Sequence, residues 1–295
     1  MLKGMFAHIS AWKQFIIVLF LLLFAFFFSS TLFYLFASIA GVSHTYSVDL
    51  GWLRFLQAFQ SFMVFIVVPC LAGWMFSHNV RSYYVLRVPP VGQMMWVVVL
   101  MVSLIPIVNI SMQLNKLVVF PESLQSLYNW MVQLEKQATD VLQFFFTDTS
   151  FLGLVLSLFI IAVIPSIGEE LVFRGLLQKI FTQWTKNAHV GIWISAFLFS
   201  FIHFQFFGFL PRMLLGAFFG YLFLWSGNLM IPIFAHFVNN AIGVTMYWLY
   251  YRSSIDINID TVGINEHSII ITVFSIIFVG LLFYFSPFRT KNPVA

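Results

Sequence analysis

Charge is what this sequence lacks. Only 8% of its 295 residues are charged, where a soluble domain carries about 25%. With 61% hydrophobic residues and a mean hydropathy of +0.96, there are too few polar side chains to cover a water-facing surface. Lipid must therefore be part of the solvent. The net charge of +4 and pI near 9.2 would suggest nucleic acid for a soluble chain. Here no nucleic-acid partner is expected, because the positions of the charges matter more than their sum. Cysteine is nearly absent as well. Cys70 stands alone in an apolar run, so no disulfide can form within the chain, and the residue reads as packing. No HExxH occurs, so the common zinc-protease helix is missing. No internal repeat is visible either.

What the chain does have is long apolar runs, with 39 phenylalanines among them. A span needs about 20 mostly apolar residues. Eight segments qualify: 15–41, 52–77, 92–112, 150–172, 188–207, 210–226, 229–250 and 268–286. The first is too long for a signal-peptide core and has no clear cleavage site, so it is a retained span. The segment 113–149 differs, with mixed polarity at helical spacing. It predicts one or two amphipathic helices at the interface, capping the bundle without touching any site. The expected fold is an all-α polytopic membrane bundle of about eight transmembrane helices plus this interfacial segment. Its parts are an N-terminal half (1–149), a core (150–250) and a final helix with a tail (251–295).

The charges orient the bundle. With the N-terminus inside, eight spans also put Arg81, Arg87, Arg174, Lys179, Lys186, Arg289 and Lys291 inside, joining Lys3 and Lys13. The positive-inside rule then makes both termini cytoplasmic. Asp49, Glu122, Glu135, Asp140, Asp148, Asp256, Asp260 and Glu266 all fall outside. Glu169 and Glu170 remain, at the end of a strongly apolar run.

Ionisable groups within spans are costly and are functional candidates. Adjacent glutamates on a helix project about 100° apart, so these two cannot do the same job. Glu170 and Arg174 are spaced for an ion pair, which leaves Glu169 facing elsewhere. A poorly solvated carboxylate suits a general base. Of seven histidines, only His203 and His236 lie well inside spans. His236 and Asn240 share one helix face. Each residue also has a plain structural reading: solvated glutamates at a helix end, a histidine bonded to a carbonyl, an Asn and a His bridging helices. Together, one carboxylate, two imidazoles and an amide meet the needs of water activation and oxyanion stabilisation. Two histidines and a carboxylate would equally hold a metal with an open position.

Three motifs stand in order: Glu169-Glu170-Leu171-Val172-Phe173-Arg174, Phe199 to His203, and His236 to Asn240. As EExxxR, FxxxH and HxxxN they resemble the CAAX-protease and bacteriocin-processing (CPBP, or Abi) family, which includes the type II CAAX prenyl proteases. The resemblance covers about 150–250. It implies an intramembrane endopeptidase of eight spans whose site is reached from the cytoplasm. By the same resemblance Glu169 is the general base, with His203 holding the attacking water. His236 and Asn240 stabilise the oxyanion, while Glu170, Arg174 and Phe199 support the site. The family has been described as metal-dependent and as a metal-free glutamate type. A metal would be Zn2+ on Glu169, His203 and His236. The implied partners are membrane lipid and a hydrophobic or lipidated peptide substrate. Short loops, Phe-rich spans and no eukaryotic targeting signal point to a bacterial inner membrane. The sequence indicates no oligomeric state.

Two other readings compete. One is a proton- or ion-coupled transporter, although such proteins often carry inverted repeats. The other is a non-catalytic scaffold or immunity protein of the same fold. Depth sets a check. His203 lies roughly 22 Å along its span at 1.5 Å per residue, whereas a helix ending at 172 puts Glu169 near the cytoplasmic surface. Either the fifth helix starts below the membrane surface, or it is strongly tilted, or the fourth is re-entrant; the expectation is that the fifth begins with an extra turn or two in the cytoplasm.

Overall fold

A computed structural model describes residues 3–39, 49–256, 259–264 and 269–288. Every regular element among them is helical. In chain order these are α1 (Ala11–Ile39), α2 (Leu50–Phe76), α3 (Val80–Tyr84), α4 (Val91–Lys116), α5 (Gln125–Phe145), α6 (Phe151–Thr185), α7 (Ala188–Phe201), α8 (Phe209–Ser226), α9 (Met230–Tyr251) and α10 (Ile269–Tyr284). Among the described residues each of the eight expected spans contains a helix. Five runs are long and apolar enough to cross a membrane: α1, α2, α4, α6 and the stretch Phe206–Ser226 containing α8. Helices α7 and α10 are apolar but shorter. Helix α9 has 22 residues and carries the polar group His236, Asn239 and Asn240. The outer faces of α1 and α10 present bare Phe20, Phe27, Ile270 and Phe274, as lipid contact requires.

Short polar residues set the helix ends by supplying oxygens to the first free N–H groups. Asp49 accepts from Gly51 at the start of α2, Asn79 from Ser82 in α3, and Ser150 from Gly153 in α6. Helix α6 stops at Lys186, which turns left-handed at φ 55°, and Asn187 caps α7 at once. The two helices form a hairpin with a two-residue joint. Helix α6 is the hub. Its first half packs on α9 and α2, and its second half packs on α7, α1 and α3.

The backbone of α6 is unusual near the glutamates. Leu158–Val163 and Leu171–Gln178 wind as π-helix, as does Met63–Val67 in α2. Such loosened turns gather at functional sites. A methyl group on Gly168 would lie 2.6 Å from Phe65 Cβ, so only glycine lets α2 and α6 touch there. That contact fixes the turn carrying Glu169.

Two expectations need correction. The sequence ends the fourth span at 172, but the helix runs on to Thr185, because Leu171, Val172, Phe173, Leu176, Leu177 and Ile180 bury themselves in the bundle. Glu169 therefore sits roughly 24 Å from that end, level with His203. Helix α7 begins at Ala188, at the start of the fifth expected span. The segment 113–149 also differs. Residues 113–116 finish α4, and the remainder forms one amphipathic helix, α5, after a 3-10 turn at Glu122–Leu124. Helix α5 does touch the site, as described below. Glu266, Arg289 and Lys291 lie outside the described residues.

Candidate active site

Glu169 lines a cavity of about 450 Å³ together with His203, His236, Asn240, Phe199, Phe219 and Arg212. The helical hub, the end of α7 and the first turns of α9 thus bring the residues of all three sequence motifs together. Ala138, Val141, Leu142 and Phe145 of α5 line the same cavity. The sequence reading kept α5 away because its outer loop position hides the fold-back over α6 and α9.

Behind the cavity wall lies a fully buried ion pair. Glu170 and Arg174 are 0% and 1% exposed. Arg174 Nη1 donates to Glu170 Oε1 at 2.6 Å, and Nη2 donates to the Gly216 carbonyl at 2.7 Å. Phe199 and Phe219 flank the guanidinium, at 4.8 and 5.4 Å from the ring centres. Such ring faces attract cations. Glu170 Oε1 also pairs with His236 Nδ1 at 2.9 Å. A carboxylate brings no proton, so Nδ1 carries it. His236 is thus oriented by Glu170 on one edge and stacked on Phe219, with centroids 5.2 Å apart. Its Nε2 points into the cavity, 3.8 Å from Glu169 Oε2. The other oxygen of Glu170, Oε2, is buried without a hydrogen-bond partner.

His203 is held differently. It sits just past the end of α7, where Nδ1 donates to the Phe199 carbonyl at 2.6 Å. Its ring meets that of Phe199 edge-on. Its Nε2 is left for the cavity. Asn240 Nδ2 donates to the Ile161 carbonyl at 3.1 Å, and its Oδ1 accepts from Asn239. One Nδ2–H remains.

The zinc expectation finds no preassembled seat. Among the described residues no three His, Cys, Asp or Glu gather as a metal site. Glu169 and His236 approach each other, while His203, held through Nδ1 on the Phe199 carbonyl, does not complete a group of three with them.

Arg212 is the member that sequence reasoning missed. As the one charged residue in the sixth expected span, it was visible as an intramembrane cation. Phe219 and Asn239 carry no comparable signal.

The cavity floor lies at Glu169 and His236. Its other walls, Met112, Ala138, Gln205 and Gly208, belong to the acid-rich end of the bundle. The charge map assigns that end to the outside, whereas the family resemblance implies entry from the cytoplasm. The two expectations cannot both hold.

Residues 151–242 match the family described as Type II CAAX prenyl endopeptidase Rce1-like. A curated relative, the uncharacterized protein YpbD of Bacillus subtilis (strain 168), is 28% identical over 86 residues. That alignment covers 28% of this chain and 41% of YpbD. No solved structure gives a significant match.

Proposed function

From the Rce1-like match over residues 151–242, we propose that this chain is an intramembrane endopeptidase of the glutamate type, acting on a hydrophobic or lipidated peptide. The observation that carries the reading is the approach of Glu169 Oε2 to His236 Nε2 at 3.8 Å where both line one cavity. Glu169 takes a proton from water, and the hydroxide attacks the peptide carbonyl. The C–N bond then breaks as the proton passes to the leaving nitrogen. His203, with Nδ1 committed to Phe199, presents Nε2 to hold the water. Asn240 faces the oxyanion with its free N–H. His236 joins it when Nε2 also carries a proton, since Nδ1 already holds one against Glu170. General-base and oxyanion contributions of this kind each supply about 10²–10³-fold in rate. Glu170, Arg174, Phe199 and Phe219 set the geometry and exclude water. We place the protein in a bacterial cell membrane, where lipid delivers apolar substrates to the bundle.

The test is cleavage of a lipidated and of a plain hydrophobic peptide by purified protein. Glu169→Ala, His203→Ala and His236→Ala should each lose activity, and full cleavage by all three overturns the mechanism. Activity should also survive chelation, because the three ligands do not converge. Loss restored by added zinc would overturn the glutamate type.

A further inference from the structure

A second, larger cavity of about 940 Å³ adjoins the first. The two share Met112, Leu142, Gln205, Gly208 and Arg212. The first ends on the catalytic candidates. The second is more polar, with Lys116, Glu135, Asp260 and the hydroxyls of Tyr128, Tyr247 and Tyr250 in its wall. Arg212 stands at the neck between them.

The Arg212 guanidinium is held rather than free. Nη1 donates to the Gln205 carbonyl at 3.2 Å and Nη2 to Gln205 Oε1 at 2.6 Å. Gly208 makes room for it, since a methyl group there would lie 3.3 Å from Nη2. The loop carrying Gln205 and Gly208 is itself fixed. Asn115 donates to the Phe206 carbonyl and accepts from the Leu210 amide, each at 2.8 Å. Glu135 accepts from the Phe207 amide. Yet among the described residues no carboxylate lies within 4.0 Å of the guanidinium nitrogens, and Glu135 and Glu169 act on it only from further away. A part-buried cation inside an apolar bundle is costly unless an anion meets it. An arginine has five N–H donors in a planar fork suited to a carboxylate. Two of its nitrogens are engaged here, both on neutral Gln205.

We infer that Arg212 is the docking residue for a carboxylate on the peptide substrate. The substrate then runs from the second cavity through the neck, with its anionic group on Arg212 and its scissile carbonyl beside Glu169. A terminal or side-chain carboxylate would supply the same chemistry. The inference rests on the peptidase reading above, because it takes the peptide as ligand.

Short apolar peptides with an N-terminal fluorophore test it in three forms: free C-terminus, C-terminal amide, and amide with one internal Asp. Binding to the full-length protein in detergent is read by fluorescence anisotropy, and cleavage of the same peptides is read separately by mass spectrometry. At least one carboxylate form should bind about tenfold tighter than the neutral amide, as a charge-assisted bond allows. Which form does so identifies the source. Arg212→Gln should erase the preference while melting like the wild type, and Arg212→Lys should keep part of it. Equal binding of all three forms, or a preference that survives Arg212→Gln, overturns the assignment. Cleavage without preference removes the docking role and leaves the peptidase. Preference without cleavage removes the peptidase and leaves the anion site. If Arg212→Gln fails to fold, the Arg212→Lys comparison with the wild type decides, and an unchanged preference in it overturns a bidentate contact.

Discussion

Pro165 leaves the Ile161 carbonyl free, and Asn240 takes it. A proline lacks the N–H that would bond four residues back, and Asn240 Nδ2 donates to that carbonyl at 3.1 Å. The proline of α6 thereby aims the amide of α9. Asn240→Ala should lower kcat about 10²-fold, the scale of a lost oxyanion donor. Pro165→Ala supplies a competing N–H and should fall between wild type and Asn240→Ala. The double variant should match Asn240→Ala, since both changes act on one contact. Strictly additive losses in steady-state cleavage would sink the coupling.

The Glu170–Arg174 pair predicts asymmetric damage. Arg174→Met leaves a buried carboxylate without its cation and should cost about 3–5 kcal/mol. It also frees Glu170 from its grip on His236, so activity should fall with stability. Glu170→Gln keeps a neutral acceptor for Arg174 and should cost less. Thermal unfolding in detergent, compared between the two, checks the order. Equal melting points would contradict it.

Much of this was legible beforehand. Glu169, His203, His236 and Asn240 were readable because a polar residue in an apolar run stands out. Residue spacing alone placed Glu170 against Arg174. The end of α6 was not readable, because Lys179 and Arg174 resemble a cytoplasmic flank. In the fold Arg174 is walled in by phenylalanines, and Lys179 donates to the Tyr83 carbonyl and lies 4.7 Å from the Tyr83 ring centre. The contact of α5 with the cavity was hidden for another reason. Helical periodicity reports that a face is apolar and says nothing of what covers it.

Acid should weaken the joint between α2 and α6. Arg54 Nη1 donates to Asp148 Oδ2 at 3.0 Å. Hydrogen bonds from Ser150, then the contact with Arg54, hold the Asp148 carboxyl below its ordinary value. A lowered folded-state value means stability that is present above the ordinary carboxylate range and lost as pH falls through the folded one. The melting point should therefore drop below about pH 4, and drop less in Asp148→Asn. Identical acid profiles for the two proteins would rule the pair out as a contributor.

Orientation can be read with the single native cysteine removed. In a Cys70→Ser background, Gln137→Cys places a thiol on the exposed side of α5. The excess of basic residues at the opposite end predicts labelling by a membrane-impermeant maleimide in intact cells. Labelling only after lysis would put α5 and the cavity entrance in the cytoplasm, as the family resemblance implies.

The joint at Lys186 and Asn187 sets a mechanical tolerance. Glu169 and His203 ride on opposite arms of the hairpin, each more than 20 Å from the joint by helical rise. At that radius a one-degree change in the angle between the arms shifts one residue against the other by about 0.4 Å, close to the half-ångström tolerance of a working site. Small residues on the facing sides of α6 and α7, such as Gly191 against Thr182, thus act as angular stops, and substitutions there would detune catalysis from a distance without altering any group that reacts.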